Sequence, residues 1–252
     1  MSRLAPVILA LVLLLIWEAA CRFLAIPSYF LPAPSAIAAA LVSRWDLLLA
    51  SAGHTLLMAL GGLALAALVA APLAMLAASS RWAAQALRPF AVAVQVTPVI
   101  AIAPLVVIWA GLDHSERAVM TLAGVVAFFP LFSGFLTGLT SADPDLERLF
   151  DLYGARPLDR LVRLRLPSAA PFALEGLSVA AGQAVIGAVV AEFVAGSGQS
   201  QGLAWRILEA GNRLRTAEMF AALVVLAVLG LGVHAAIGWV RGRALLALGD
   251  GR

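Results

Sequence analysis

The chain has 252 residues, of which 63% are hydrophobic and 12% charged, with a mean hydropathy of +0.99. A water-soluble domain carries about 25% charged and 45–50% apolar residues, so a soluble enzyme, a disordered chain and a coiled coil are excluded. The net charge of +3 rests on basic residues that are all arginine, too few and too scattered for a nucleic-acid-binding face.

An apolar helix needs roughly 20 residues to cross a bilayer. No Asp, Glu, Lys or Arg occurs in residues 47–80, 89–112, 118–142 or 219–240, and each interval reaches that length. Two further spans carry charge: one near the N-terminus with Glu18 and Arg22, a helical turn apart and able to pair, and one with Glu175 and Glu192. Six transmembrane helices are expected, at about 4–24, 52–78, 90–111, 117–140, 169–195 and 217–240, in a single domain over 1–252. Arg3, the apolar run and Ala19-Ala20-Cys21 resemble a secretory signal, but Glu18 abuts that site and further spans follow, so the first helix is expected to be retained. Cys21 is the only cysteine and reads as a packed thiol.

Arginine placement orients the chain. With both termini cytoplasmic, Arg3, Arg81, Arg88, Arg148, Arg156, Arg160, Arg163, Arg165, Arg241, Arg243 and Arg252 lie inside, outnumbering Arg22, Arg44, Arg117, Arg206, Arg213 and Arg215 outside. The 197–216 segment, read as a flexible connection, fits that assignment least well. Trp45, Trp82, Trp109 and Trp239 fall near span ends, as interfacial anchors do. Pro98 and Pro104 interrupt the third span and Pro130 sits in the fourth, each expected to bend its helix. Gly134–Gly138 and Gly238–Gly242 have the spacing that lets two helices approach closely.

The one long polar stretch, residues 143–167, lies on the arginine-rich side. Asp143-Pro144 is a helix start, and Leu146, Leu149, Phe150 and Tyr153 form one apolar stripe at helical spacing. Gly154 ends that helix, Pro157 begins a second, and Pro167 is expected to stop it before the fifth span. Such a stripe either docks in a groove of a partner protein or rests on the bilayer.

Gly154, nine intervening residues and then Leu164-Arg165-Leu166-Pro167 resemble the glycine and the I-x-L-P end of the EAA loop of ABC-importer permeases. Phe30-Leu31-Pro32-Ala33-Pro34-Ser35 is similar to the F-L-P-x-P-S of the nitrate/sulfonate/taurine-type branch. His54, Thr97-Pro98, Ala103-Pro104-Leu105, Trp109-Ala110-Gly111, Val189-Val190-Ala191-Glu192-Phe193 and Leu229-Gly230 follow that branch in order. The positions of the E-A-A triplet hold Arg148-Leu149-Phe150, with Glu147 one residue early.

The resemblance implies an all-α membrane protein, a type I ABC-importer bundle whose 143–167 loop is a cytoplasmic coupling helix. It implies two separate ABC ATPase subunits, a periplasmic or tethered solute-binding protein and a second copy of the permease as a homodimer in the bacterial inner membrane. Leu149, Phe150, Asp151, Tyr153, Gly154, Leu164 and Pro167 are then the residues that couple to the ATPase. The solutes of the branch are nitrate, sulfonates, taurine and bicarbonate, with riboflavin or pyrimidine vitamin precursors among related members.

Polar side chains within the spans call for a partner or a wet cavity. Gln95, Thr97 and Gln183 either line a hydrophilic path, with Pro98 at its bend, or hydrogen-bond between helices. Glu192 is a gate or a helix anchor. His54, His114 and His234 have no metal-ligand spacing, and Gly198-Gln199-Ser200-Gln201-Gly202 matches G-x-S-x-G without the strand and triad that motif needs. There is no phosphate-loop motif and no lysine, so this chain is not expected to hydrolyse ATP, to perform catalysis or to hold a cofactor or metal. An ion-coupled secondary transporter lacks the expected second copy of the proline-rich span, and an intramembrane enzyme lacks a cluster of acids, bases or ligands.

Overall fold

The computed structural model describes residues 5–111, 114–195, 201–247 and 249. Residues 198–200 of the G-x-S-x-G stretch lie outside them. The described helices are α1 (Ala5–Phe23), α2 (Pro34–Ser43), α3 (Trp45–Ser79), α4 (Arg81–Val96), α5 (Val99–Ala110), α6 (Ser115–Leu139), α7 (Pro144–Leu152) and α8 (Pro157–Arg160). A π turn (Leu161–Arg165) leads into α9 (Leu166–Ala195), and α10 (Leu203–Asn212) and α11 (Thr216–Ala247) complete the chain. No strand occurs among the described residues. Helices α1, α3, α6 and α11 and the run from Pro157 to Ala195 are long and apolar enough to cross a membrane; α4 and α5 together make a sixth candidate. Leu15 of α1 is 69% exposed amid other exposed leucines and valines, a surface that only lipid or another apolar helix can cover.

Three expectations need correction. The third span, expected at about 90–111 as one bent helix, is two helices, α4 and α5, meeting at 97°. Pro98 lacks the N–H that would continue α4, while Pro104 and Pro130 sit inside the unbroken helices α5 and α6. Residues 203–212 of the supposed connection form α10, with Leu203, Ala204, Ile207 and Ala210 buried at helical spacing. Pro167 does not stop a helix: the chain stays helical from α8 through the π turn into α9, and Pro167, which has no N–H to donate, follows directly on that turn, where the hydrogen-bond register shifts.

The described residues of Met1–Thr55 and Gly198–Leu229 form one compact unit. Its core gathers Ile37, Leu48, Ala52, Leu203, Ile207, Ala221 and Ala222. Ala33, the N-cap of α2, has no capping side chain, and Glu18 of α1 supplies one from another helix. Its carboxylate accepts from the Ser35 N–H at 2.9 Å and the Ser35 hydroxyl at 2.8 Å, and from Arg22 Nε at 2.6 Å. An acid at a helix N-terminus also meets the positive end of the helix dipole, which accounts for the charged pair in an apolar span. Gly202 likewise offers α10 no cap, and the buried Thr55 hydroxyl accepts from the Leu203 N–H at 2.9 Å. Arg206 Nε donates to Ser51 Oγ at 3.1 Å.

The described residues of Leu56–Ser197 and Gly230–Arg252 form the second unit. Its centre is the seam of α6 on α9, where small residues bring backbones together. A Cβ on Gly134 would lie 2.8 Å from the Phe172 carbonyl, on Gly138 2.7 Å from Ala169 Cα, and on Gly176 2.6 Å from the Pro130 carbonyl. A Cβ on Gly62 of α3 would come within 2.5 Å of Ala123 on α6. The Gly134–Gly138 pair is thus a true contact seam; Gly238 and Gly242 meet nothing within 4 Å.

Candidate functional site

The 143–167 segment is built by local rules. The Asp143 carboxylate accepts from the Asp145 N–H at 2.8 Å, Pro144 opens α7, and Asp145 and Glu147 fill the acidic first turn. At the other end Ala155 N–H reaches the Phe150 carbonyl and Gly154 N–H the Asp151 carbonyl, both at 3.0 Å. This is a Schellman cap, and it needs a residue with positive φ at its C′ position. Gly154 provides it at +61°. The glycine of the sequence motif therefore fixes the angle at which the chain leaves α7.

Ion pairs hold the loop on itself. Glu147 accepts from Arg165 Nε at 2.7 Å and pairs with Arg160 at 3.3 Å, while Arg160 also pairs with Asp151. Glu147 thus ties α7 to α8 and the π turn. Among the described residues Arg148, at the first triplet position, pairs only with Asp145 in its own helix. Sequence reasoning noted the displaced Glu147 but missed its partners, because they lie 13 and 18 residues away.

With the polar groups paired, the apolar ones remain outside. Leu149 is 43% exposed and Tyr153 82%, with Leu146 beside them, whereas Phe150 is half-buried. Leu152 of α7, Leu158 of α8 and Val162 of the π turn are also exposed, and the local spacing did not single them out as surface residues. Leu164 is buried, and Pro167 lies in the first turn of α9. Of the seven loop residues named from the sequence, Leu149, Tyr153 and Gly154 share the exposed face or its turn; Asp151 serves the ion-pair network.

The polar residues of the spans divide. Gln95 and Gln183 line one open cleft of about 360 Å³, together with Ser133, Thr137 and Glu175. Both also border a neighbouring cavity of about 230 Å³. Thr97 donates its hydroxyl to the Ala93 carbonyl at 2.7 Å and so finishes α4; Pro98 is the N-cap of α5. Glu192 is fully buried in α9 and lines neither cavity. Glu175 at the cleft forms an ion pair with Arg241 of α11.

Comparison with known proteins identifies the family. Residues 70–244 match the family described as binding-protein-dependent transport system inner membrane component. A probable ABC transporter permease protein of Haemophilus influenzae is 34% identical over 94% of this chain and 95% of its own. The formylaminopyrimidine transport permease protein ThiX of Halalkalibacterium halodurans is 32% identical over 94% of this chain and 92% of its own. The riboflavin transport system permease protein RibX of Chloroflexus aurantiacus is 34% identical over 92% of this chain and 85% of its own. Proteins of this family work with ATPase and solute-binding partners. The chain therefore belongs to the binding-protein-dependent transport system inner membrane components, the multi-pass permease subunits of ABC importers, which carry solute rather than catalyse a reaction.

Proposed function

We propose that two copies of this permease form the translocation path of an importer, each engaged by one ATPase subunit through α7 on the cytoplasmic side, with both termini on that side. The observation that carries this reading is the apolar face of α7. Leu146, Leu149, Leu152 and Tyr153 stand exposed on a helix whose two ends are fixed by a cap and by ion pairs. A short helix presenting an apolar face suits a groove on a partner. ATP-driven closure of the ATPases would move the two α7 helices, and the different affinity of ATP for the closed state supplies the bias.

Solute passes the cleft lined by Gln95 and Gln183. Thr97 and Pro98 form the elbow beside it, and Glu192 anchors α9. The full-length relatives named for formylaminopyrimidine and riboflavin support a nitrogen heterocycle as solute over nitrate, a sulfonate, taurine or bicarbonate. The cleft fits a polar, uncharged solute: its lining offers two amides, and its one carboxylate, Glu175, is paired with Arg241. The experiment is co-purification of the permease with its ATPase after Leu149→Asp and Leu152→Asp together. Loss of the ATPase from a folded permease is expected; retention means that α7 faces something else. Thermal-shift screening of the partner binding protein against pyrimidines, flavins and sulfonates tests the solute separately.

A further inference from the structure

Four arginines meet at one cavity in the unit formed by Met1–Thr55 and Gly198–Leu229. The cavity, of about 120 Å³, is lined by Arg44, Arg206, Arg213 and Arg215 with Glu209 and Glu218. Each carboxylate is shared. Glu209 pairs with Arg206 at 3.0 Å and Arg213 at 3.1 Å, and Glu218 with Arg44 at 3.4 Å and Arg215 at 3.6 Å. Two carboxylates cannot neutralise four guanidinium groups, so the cavity keeps an excess of positive charge. Each guanidinium has five N–H donors, most of which these pairs leave unused.

Position adds to charge. Arg44 directly precedes α3, which is free of charge from residue 47 onward, and Glu218 is the last charge before the apolar run 219–240. The cavity therefore lies where two apolar spans begin, the depth of the interfacial headgroups. The chain neighbours of its arginines are apolar and exposed: Trp45, next to Arg44, is 50% exposed, and Leu214, between Arg213 and Arg215, is 72% exposed. Leu214 has φ +55°, and the Arg215 N–H to Ala210 carbonyl bond at 2.9 Å closes a Schellman cap on α10. Glycine normally takes that position. Here a leucine does, standing outward between two arginines that both line the cavity.

We propose that this cavity binds the phosphate of an anionic phospholipid, whose acyl chains lie along Trp45 and Leu214. Guanidinium groups match phosphate oxygens in charge and geometry. A free phosphate ester or an acidic side chain of a protein would satisfy the arginines, but neither uses these apolar neighbours. A zwitterionic lipid brings its own cation against the spare positive charge, so the site discriminates between headgroups.

Native mass spectrometry of the assembled transporter, titrated with dioleoylphosphatidylglycerol, dioleoylphosphatidylcholine or soluble glycerol 3-phosphate, tests this. Phosphatidylglycerol is expected to bind tightly and the other two weakly. Arg213→Gln with Arg215→Gln should weaken phosphatidylglycerol roughly thirtyfold, the effect of two basic groups at an anionic surface. Leu214→Gln, which keeps every arginine, should weaken it severalfold and stands in if the double variant fails to assemble. Equal affinity for the two lipids, or phosphatidylglycerol binding unchanged in either variant, overturns the proposal. Glycerol 3-phosphate bound as tightly as the lipid would mark a free-anion site instead.

Discussion

Glu147 and Arg165 form a 2.7 Å ion pair that ties the first turn of α7 to the π turn ahead of α9. The two residues are 18 apart in sequence and each is less than one-third exposed. On the proposed function, this pair is the link that would pass a displacement of α7 to the helix lining the polar cleft.

Glu147→Gln removes the charge and keeps the shape. A partly exposed charge-assisted bond contributes about 1 kcal/mol, so the permease should stay folded. Uptake per ATP hydrolysed should fall severalfold, because α7 then moves without carrying α9. Transport and ATPase assays on the same proteoliposomes measure that ratio; an unchanged ratio means that the pair plays no part in transmission.

Gly154→Val places a β-branched residue at φ +61°. Left-handed backbone costs a non-glycine residue about 1–2 kcal/mol, and a shifted cap re-aims the chain between α7 and α8. Solute uptake should drop at least tenfold while the permease still extracts as a folded protein. Gly154→Asn, which tolerates this conformation, should retain most of the uptake.

The seam of α6 on α9 permits a sharper contrast. Gly176→Val would drive a side chain into the Pro130 carbonyl, and backbone cannot move aside cheaply. Forced overpacking costs about 1–3 kcal/mol or more, so loss of the monodisperse peak in size-exclusion chromatography is expected. Gly238→Ala, where a Cβ meets nothing within 4 Å, should behave as wild type.

Charge-free intervals located the spans because hydrocarbon tolerates few charges, and that constraint is written directly in the sequence. The Thr97-Pro98 break was visible as a proline, but its 97° angle depends on how α5 packs on α6 and α9, which no local pattern encodes. Helix α10 is legible in Leu203, Ala204, Ile207 and Ala210, yet a segment between two spans, here with three arginines, reads as a connection. Those arginines are paired with Glu209 and Glu218, and a charged helix so paired reads like a loop by composition alone. The π turn left no trace, since it differs from an α-helix only by one residue in its hydrogen-bond register. In the site, Gly154 and the α7 stripe were readable from local spacing; the Glu147 network and the meeting of Gln95 with Gln183 depend on tertiary contacts.

Two helix ends carry removable strain. Ala25 has φ +46° and Leu214 φ +55°, each in the place where a Schellman cap prefers glycine. Ala25→Gly should raise stability by about 0.5–1 kcal/mol, the left-handed cost less the entropy glycine adds to the unfolded chain. A thermal melt of the detergent-solubilised protein reads this as a small increase; a decrease would mean that the methyl group of Ala25 has a packing role.

Photo-crosslinking from α7 asks most directly whether this helix is where the ATPase grips the bundle. Tyr153, 82% exposed, is replaced by p-benzoylphenylalanine in the transporter co-expressed with its ATPase subunit, and membranes are irradiated with and without ATP. A crosslink to the ATPase whose yield changes with nucleotide is expected. A position 153 that crosslinks only to lipid, or a Tyr153→Cys variant labelled by an impermeant maleimide added outside intact cells, would contradict it.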